Sequence, residues 1–150
     1  MAVRKLPLDR TTSASLRRVA GELTLLVNSD VTETIRTFAT ATLLGHYVLM
    51  REREAHRGGD RPDFVRTYPP RPPDPHADLF ANAFACHFLM PKEALDQAWN
   101  AHARSATATA DVARTFGVPV PNLIEHTMRI RYRTRTTLRR PLPQPRSSEQ

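Results

Sequence analysis

At 150 residues, 40% of them apolar, the chain has material for one buried core and not for two. Its single cysteine, Cys86, excludes an internal disulfide and a cysteine-based zinc cluster, and no apolar run approaches the roughly 18 residues that span a bilayer. The net charge of +7 is mostly terminal, with seven arginines and one acid from Arg129 onward against 15 basic and 14 acidic groups before it. It therefore describes a tail able to attract any polyanion rather than the body of the protein.

The start, Met1-Ala2-Val3-Arg4-Lys5-Leu6-Pro7, carries no apolar stretch of signal-peptide type, which points to the cytoplasm and to no membrane attachment. Leu16, Val19 and Ala20 are spaced apolar positions behind the Thr11-Thr12-Ser13 cluster, a pattern that predicts a short first helix ended by Gly21. Glu22 to Asn28 reads as a strand running up to an Asn28-Ser29-Asp30 turn. From Glu33 to Met50 the residues Ile35, Phe38, Ala39, Thr42, His46, Leu49 and Met50 recur at three- and four-residue spacing, so one helix carries them on one face.

Residues 51–76 are charged and rich in glycine and proline, and are expected to form an irregular loop. A second helix follows from His76 to Leu89, stopped by Pro91, with Phe80, Phe84 and Phe88 assigned to the core. A third is expected from Lys92 to Arg104. Residues 107–116, a Gly117-Val118-Pro119 turn and residues 121–130 outline a closing helical hairpin. The stretch Pro141-Leu142-Pro143-Gln144-Pro145 cannot supply helix hydrogen bonds, and 131–150 reads as a disordered Arg- and Pro-rich tail beyond a domain at 10–130. Cys86 falls within a helical pattern, where a small half-buried residue is a simpler account than a reactive thiol.

Three segments, in this order and spacing, resemble the ImmA/IrrE family of zinc-dependent endopeptidases. The first is the strand and turn to Asp30 followed by Phe38-Ala39-Thr40-Ala41-Thr42-Leu43-Leu44-Gly45-His46-Tyr47, where the family's helix reads Phe-x-x-Ala-His-Glu-x-Gly-His-Tyr. The second is Asp78-Leu79-Phe80-Ala81-Asn82-Ala83-Phe84-Ala85 with Leu89-Met90-Pro91, similar to a helix Glu-x-x-Ala-Asn-x-Phe-Ala ending in Leu-Met-Pro. The third is Ala110 to Pro119, similar to the closing helix and turn. The resemblance implies an α+β, mainly helical, zincin-like metallopeptidase domain with a small sheet. It also implies zinc as the family's cofactor and helix-turn-helix repressors as its partners.

The motif chemistry is incomplete in this chain. In His-Glu-x-x-His the two histidines lie one turn apart and bind one zinc, and the glutamate takes a proton from the metal-bound water. Here Thr42 replaces the first histidine and Leu43 the glutamate; His46 is the second histidine, and Asp78 stands where the family places a third, glutamate ligand. His46 and Asp78 are thus the candidate metal ligands, no catalytic residue is assigned, and zinc is expected to bind weakly or not at all. A set of His76, Asp78 and His46 is an alternative of acceptable ligand types, and a hydrogen-bonded core role for His46, to Thr42 or Asp78, is the structural one. The expectation is a pseudoenzyme-like member that binds a partner protein. Alternatives are an active endopeptidase with altered ligands, or a helix-turn-helix DNA-binding unit at Thr109–Ile130 with nucleic-acid contacts from the basic tail.

Overall fold

The computed structural model describes residues 1–19, 21–57, 64–69 and 74–138. Four strands, β1 (Ala2–Leu6), β2 (Ala14–Val19), β3 (Glu22–Asn28) and β4 (Phe64–Tyr68), form one mixed sheet in the order β1-β3-β2-β4. β1 runs parallel to β3, while β2 is antiparallel to both β3 and β4. Five helices follow the same chain order: α1 (Glu33–Arg57), α2 (Pro75–Leu89), α3 (Lys92–Ala101), α4 (Ala108–Phe116) and α5 (Val120–Leu138). The architecture is the α+β, mainly helical one expected, with the small sheet and the closing α4–α5 hairpin in place. No helix among the described residues is long and apolar enough to cross a membrane.

Several expectations about elements are corrected. Within the segment expected as a first helix, Ala14–Val19 is strand β2: Ala14 and Leu16 are fully buried and pair with Val27 and Leu25 of β3. Two-residue alternation against a neighbouring strand outweighs the weak helical spacing there. The 51–76 region is not one irregular loop, because α1 continues to Arg57 and Phe64–Tyr68 forms the edge strand β4. Helix α5 runs on to Leu138 instead of giving way to an irregular tail at 131, and 139–150 lie outside the described residues. Strand β1 buries little, since only its ends, Ala2 and Leu6, are partly covered and Val3 is exposed.

Two apolar clusters share α1. Ala39 and Leu43 pack on the sheet with Ala14, Leu16, Leu25 and Val27. Phe38 and Ala41 belong instead to the helical core with Ala85, Cys86, Met90, Leu95, Val112, Val118 and Leu123. Tyr68 of β4 touches both clusters and meets Phe38 edge to face at 6.2 Å. At about 100° per residue, Ala41, Gly45 and Phe38 occupy one arc of α1 and Ala39 and Leu43 another, with Thr42 and His46 between them.

Polar side chains close the joints. Asn28, buried at the end of β3, accepts from the backbone N–H of Leu8 (3.2 Å) and Asp30 (2.9 Å) and donates to the carbonyl of Thr12 (2.8 Å), stitching the β1–β2 connection to the sheet. Arg36 donates to the carbonyls of Ser29 and Val31, anchoring the first turns of α1 to the preceding turn. Gly117 ends α4 at φ 60°, a left-handed position that favours glycine, and turns the chain into α5. His126 of α5 is buried and donates from Nε2 to the carbonyl of Met90 at 3.1 Å, with the His87 ring 4.8 Å away edge to face.

α1 and α2 cross at Gly45, where an added Cβ would lie 2.8 Å from Ala81 Cα. Gly45→Ala gains about 1 kcal/mol of helix propensity but overpacks a backbone contact, which costs about 1–3 kcal/mol. A net fall in unfolding free energy is expected by urea titration; an unchanged or raised midpoint would show that the crossing is loose.

Burial holds the His126 ring below its ordinary pKa, opposed by the Met90 hydrogen bond. The unfolded chain then binds the proton more readily than the folded one, so the contribution is fully present above the ordinary histidine pKa of about 6.5 and falls as pH drops below it. His126→Gln is expected to flatten the thermal-stability profile between about pH 6.5 and 5. If the slope in that window persists unchanged in the variant, His126 is not its source.

Candidate functional site

α2 begins with a reciprocal cap. The Asp74 carboxylate accepts from Ala77 N–H at 3.1 Å, and the Asp78 Oδ2 accepts from Asp74 N–H at 2.9 Å, with Pro75 in the first helical turn. Arg53 of α1 reaches Asp74 at 3.9 Å. These contacts fix the Asp78 carboxylate at the mouth of the α1–α2 crossing, leaving Oδ1 directed at His46. His46 Nε2 lies 3.4 Å from Asp78 Oδ1, with side chains only 3% and 16% exposed.

The structure therefore brings together the two sequence-predicted ligands, from different helices. Among the described residues it does not bring a third. Thr42, one turn before His46 and buried, donates its hydroxyl to the Phe38 carbonyl at 2.9 Å, a bond within its own helix. Leu43 is 0% exposed and packed against the sheet. His76, the alternative third ligand, is exposed on the first turn of α2, and among the described residues no group of three or more His, Cys, Asp or Glu side chains could hold a metal ion.

Two donors on one tetrahedral zinc, with bonds of about 2.0–2.1 Å, stand about 3.4 Å apart. The 3.4 Å between His46 and Asp78 matches two corners of such a site. The remaining requirement, a third protein ligand beside an open position, is not met by any side chain among the described residues. The described residues thus supply two of the donors of a zinc site and do not fit the complete one.

Other sequence expectations resolve differently. Phe80 and Phe88 are not core: they are 40% and 60% exposed, and the buried face of α2 is Ala77, Ala81, Ala85 and Cys86. The close approach at Gly45 requires small residues on that face, which turns the larger ring positions outward; Phe84 stacks on Phe88 at 5.7 Å. Cys86 is a core residue, and burial pushes its thiol up to about 11, consistent with an inert side chain. A groove of about 500 Å³, lined by Val3, Lys5, Arg36, Thr40, Leu44 and Phe88 among others, lies away from His46 and Asp78. Sequence reasoning missed Gly45 and the Asp74 cap as the parts that position the pair. An Asp-Pro pair four residues ahead of Asp78 was the available signal for the cap.

This geometry has a family context. The profile of the Peptidase_M78 family, described as the IrrE N-terminal-like domain, matches residues 1–127. The chain belongs to that family. The match takes in β1 at one end and stops within α5 at the other. No curated protein matches the chain. The family is one of zinc metallopeptidases.

Replacing Asp78 tests whether its carboxylate joins the two helices. Asp78→Ala removes both the bond to Asp74 N–H and the charge beside His46, an expected loss of about 1–3 kcal/mol in unfolding free energy. Asp78→Asn keeps an acceptor for the cap and should recover part of it. An Asp78→Ala protein unfolding at the wild-type urea concentration would remove the carboxylate from the account of this joint.

Proposed function

We propose that this IrrE N-terminal-like domain has kept its family's framework without its hydrolytic machinery, and that it acts by holding a partner protein. The observation that carries this reading is Leu43, fully buried in the sheet core at the position of the family's general base. An alkyl side chain accepts no proton, and loss of a general base removes about two to four orders of magnitude in rate. Thr42, occupying the first-histidine position, spends its hydroxyl on Phe38. The partner class that the family resemblance supplies is a helix-turn-helix repressor, bound and held rather than cleaved, in the cytoplasm.

A second reading, an active zinc endopeptidase with altered ligands, is favoured by one distance, the 3.4 Å between His46 and Asp78. The DNA-reading alternative at Thr109–Ile130 has less support. The outward residues at the start of α5 are Val120, Pro121, Ile124, Glu125, Met128 and Arg129, and Arg129 is paired with Glu125, so few side chains of base-reading type stand there.

Elemental analysis of purified protein separates the first two. The native chain is expected to carry far less than one zinc, while Thr42→His with Leu43→Glu, which restores the motif, should take up about one zinc per chain. Stoichiometric zinc in the native protein, lost on His46→Ala or Asp78→Ala, would overturn the proposal and make proteolysis of repressors the next assay.

A further inference from the structure

The sheet has an open edge that the His46–Asp78 site does not use. In the order β1-β3-β2-β4, strand β1 has no neighbour on its outer side among the described residues. The Leu6 carbonyl accepts from the Ser29 N–H on the β3 side, and along a strand alternate residues direct their backbone groups the same way. Ala2, Arg4 and Leu6 therefore bond β3, while Val3 and Lys5 turn their N–H and C=O groups outward. An edge of this kind is a template for one more strand.

The side chains of the same two residues line the groove of about 500 Å³. Val3 pairs in register with Leu25 and Lys5 with Val27, so both lie on the α1 side of the sheet; Val3 is nevertheless exposed, because α1 packs mainly on β2, β3 and β4. Leu44 of α1 and the exposed Phe88 near the end of α2 supply further apolar lining. At about 100° per residue, Thr40 and Leu44 lie on the side of α1 opposite Thr42 and His46, so the groove and the metal-ligand wedge are separate.

Open main chain beside an apolar trough is the chemistry of strand addition, in which backbone bonds hold an extended segment and alternate side chains enter the trough. Charge selects the occupant. Arg4 and Lys5 are exposed, and in the groove Lys5 and Arg36 stand against one acid, Glu33. A second copy bonded reciprocally through Val3 and Lys5 would set Arg4 against Arg4, a destabilising like-charge contact. Residues 139–150 of this chain hold three arginines, three prolines and one acid, and so match the edge neither in charge nor in backbone donors.

We infer that the β1 edge and its groove dock an extended segment of a partner protein in which apolar and acidic side chains alternate. A fluorescein-labelled peptide of Val-Glu repeats should bind the full chain in fluorescence anisotropy with a Kd below about 1 mM, and a Val-Lys peptide of the same length should not. Val3→Pro removes one outward N–H and leaves the ladder to β3 intact, since proline is accepted on an edge strand where its nitrogen faces away from the sheet. It should weaken binding about 2- to 12-fold, the effect of one hydrogen bond. Arg4→Glu with Lys5→Glu should reverse the preference, so that the Val-Lys peptide binds and the Val-Glu peptide does not. Circular dichroism and urea titration check that both variants stay folded.

A fully N-methylated Val-Glu peptide, which keeps the side chains and charge but offers no N–H, should lose most of the affinity of its parent for the unaltered protein. The inference is overturned if neither repeat binds, if both bind alike, or if the N-methylated peptide binds as tightly as its parent. It is also overturned if the chain is a dimer that Val3→Pro dissociates, which would make the edge an interface between copies. A severalfold gain in Val-Glu affinity on deleting residues 139–150 would overturn it too, by placing the tail on the edge. None of these outcomes depends on zinc content, so failure here is distinct from failure of the pseudoenzyme reading.

Discussion

The close approach of α1 to α2 is the constraint from which the remaining geometry follows. Without a side chain at Gly45, the α1 backbone can meet Ala81 at a distance no Cβ would permit. That contact orders α2 in two ways. It selects small residues, Ala77, Ala81, Ala85 and Cys86, for the inner face and pushes Phe80 and Phe88 outward. It also brings the first turn of α2 alongside the middle of α1, where Asp78 reaches His46.

Because α1 serves both cores, each of its residues is assigned a task by angle. One arc packs on the sheet through Ala39 and Leu43, another on α2 through Phe38 and Ala41, and the wedge between them holds Thr42 and His46. A metal site in such a wedge needs ligands from both walls. In this chain the α2 wall supplies a carboxylate, the α1 wall supplies one imidazole, and the adjoining turn is used for packing and an intrahelical hydrogen bond. The His46–Asp78 spacing of 3.4 Å has the dimension of two ligands on one ion.

At the other end of the helical core the same economy of contacts holds α5. Leu123 and His126 fill the space beside Met90, and the His126 bond to the Met90 carbonyl satisfies a backbone group just past the end of α2. Burial at that joint also holds the His126 ring below its ordinary pKa. Farther along, α5 continues to Leu138 and its sequence becomes mostly arginine and threonine.

The long-period patterns were legible in the sequence alone: the α1, α2, α3 and closing-hairpin helices, strand β3 and the family. These follow from residue identity and from spacing along one element, which need no partner to be read. Strands β1, β2 and β4 were not legible. Short strands of five or six residues acquire their identity only from the neighbours they pair with, as Leu16 does from Leu25. The sequence likewise could not say that Phe80 and Phe88 face outward, because a ring stripe and an alanine stripe on one helix are equally good apolar faces until another backbone chooses between them. Only the tertiary structure decided that choice, through the contact distance at Gly45 and Ala81, and with it the meeting of His46 and Asp78 across two helices.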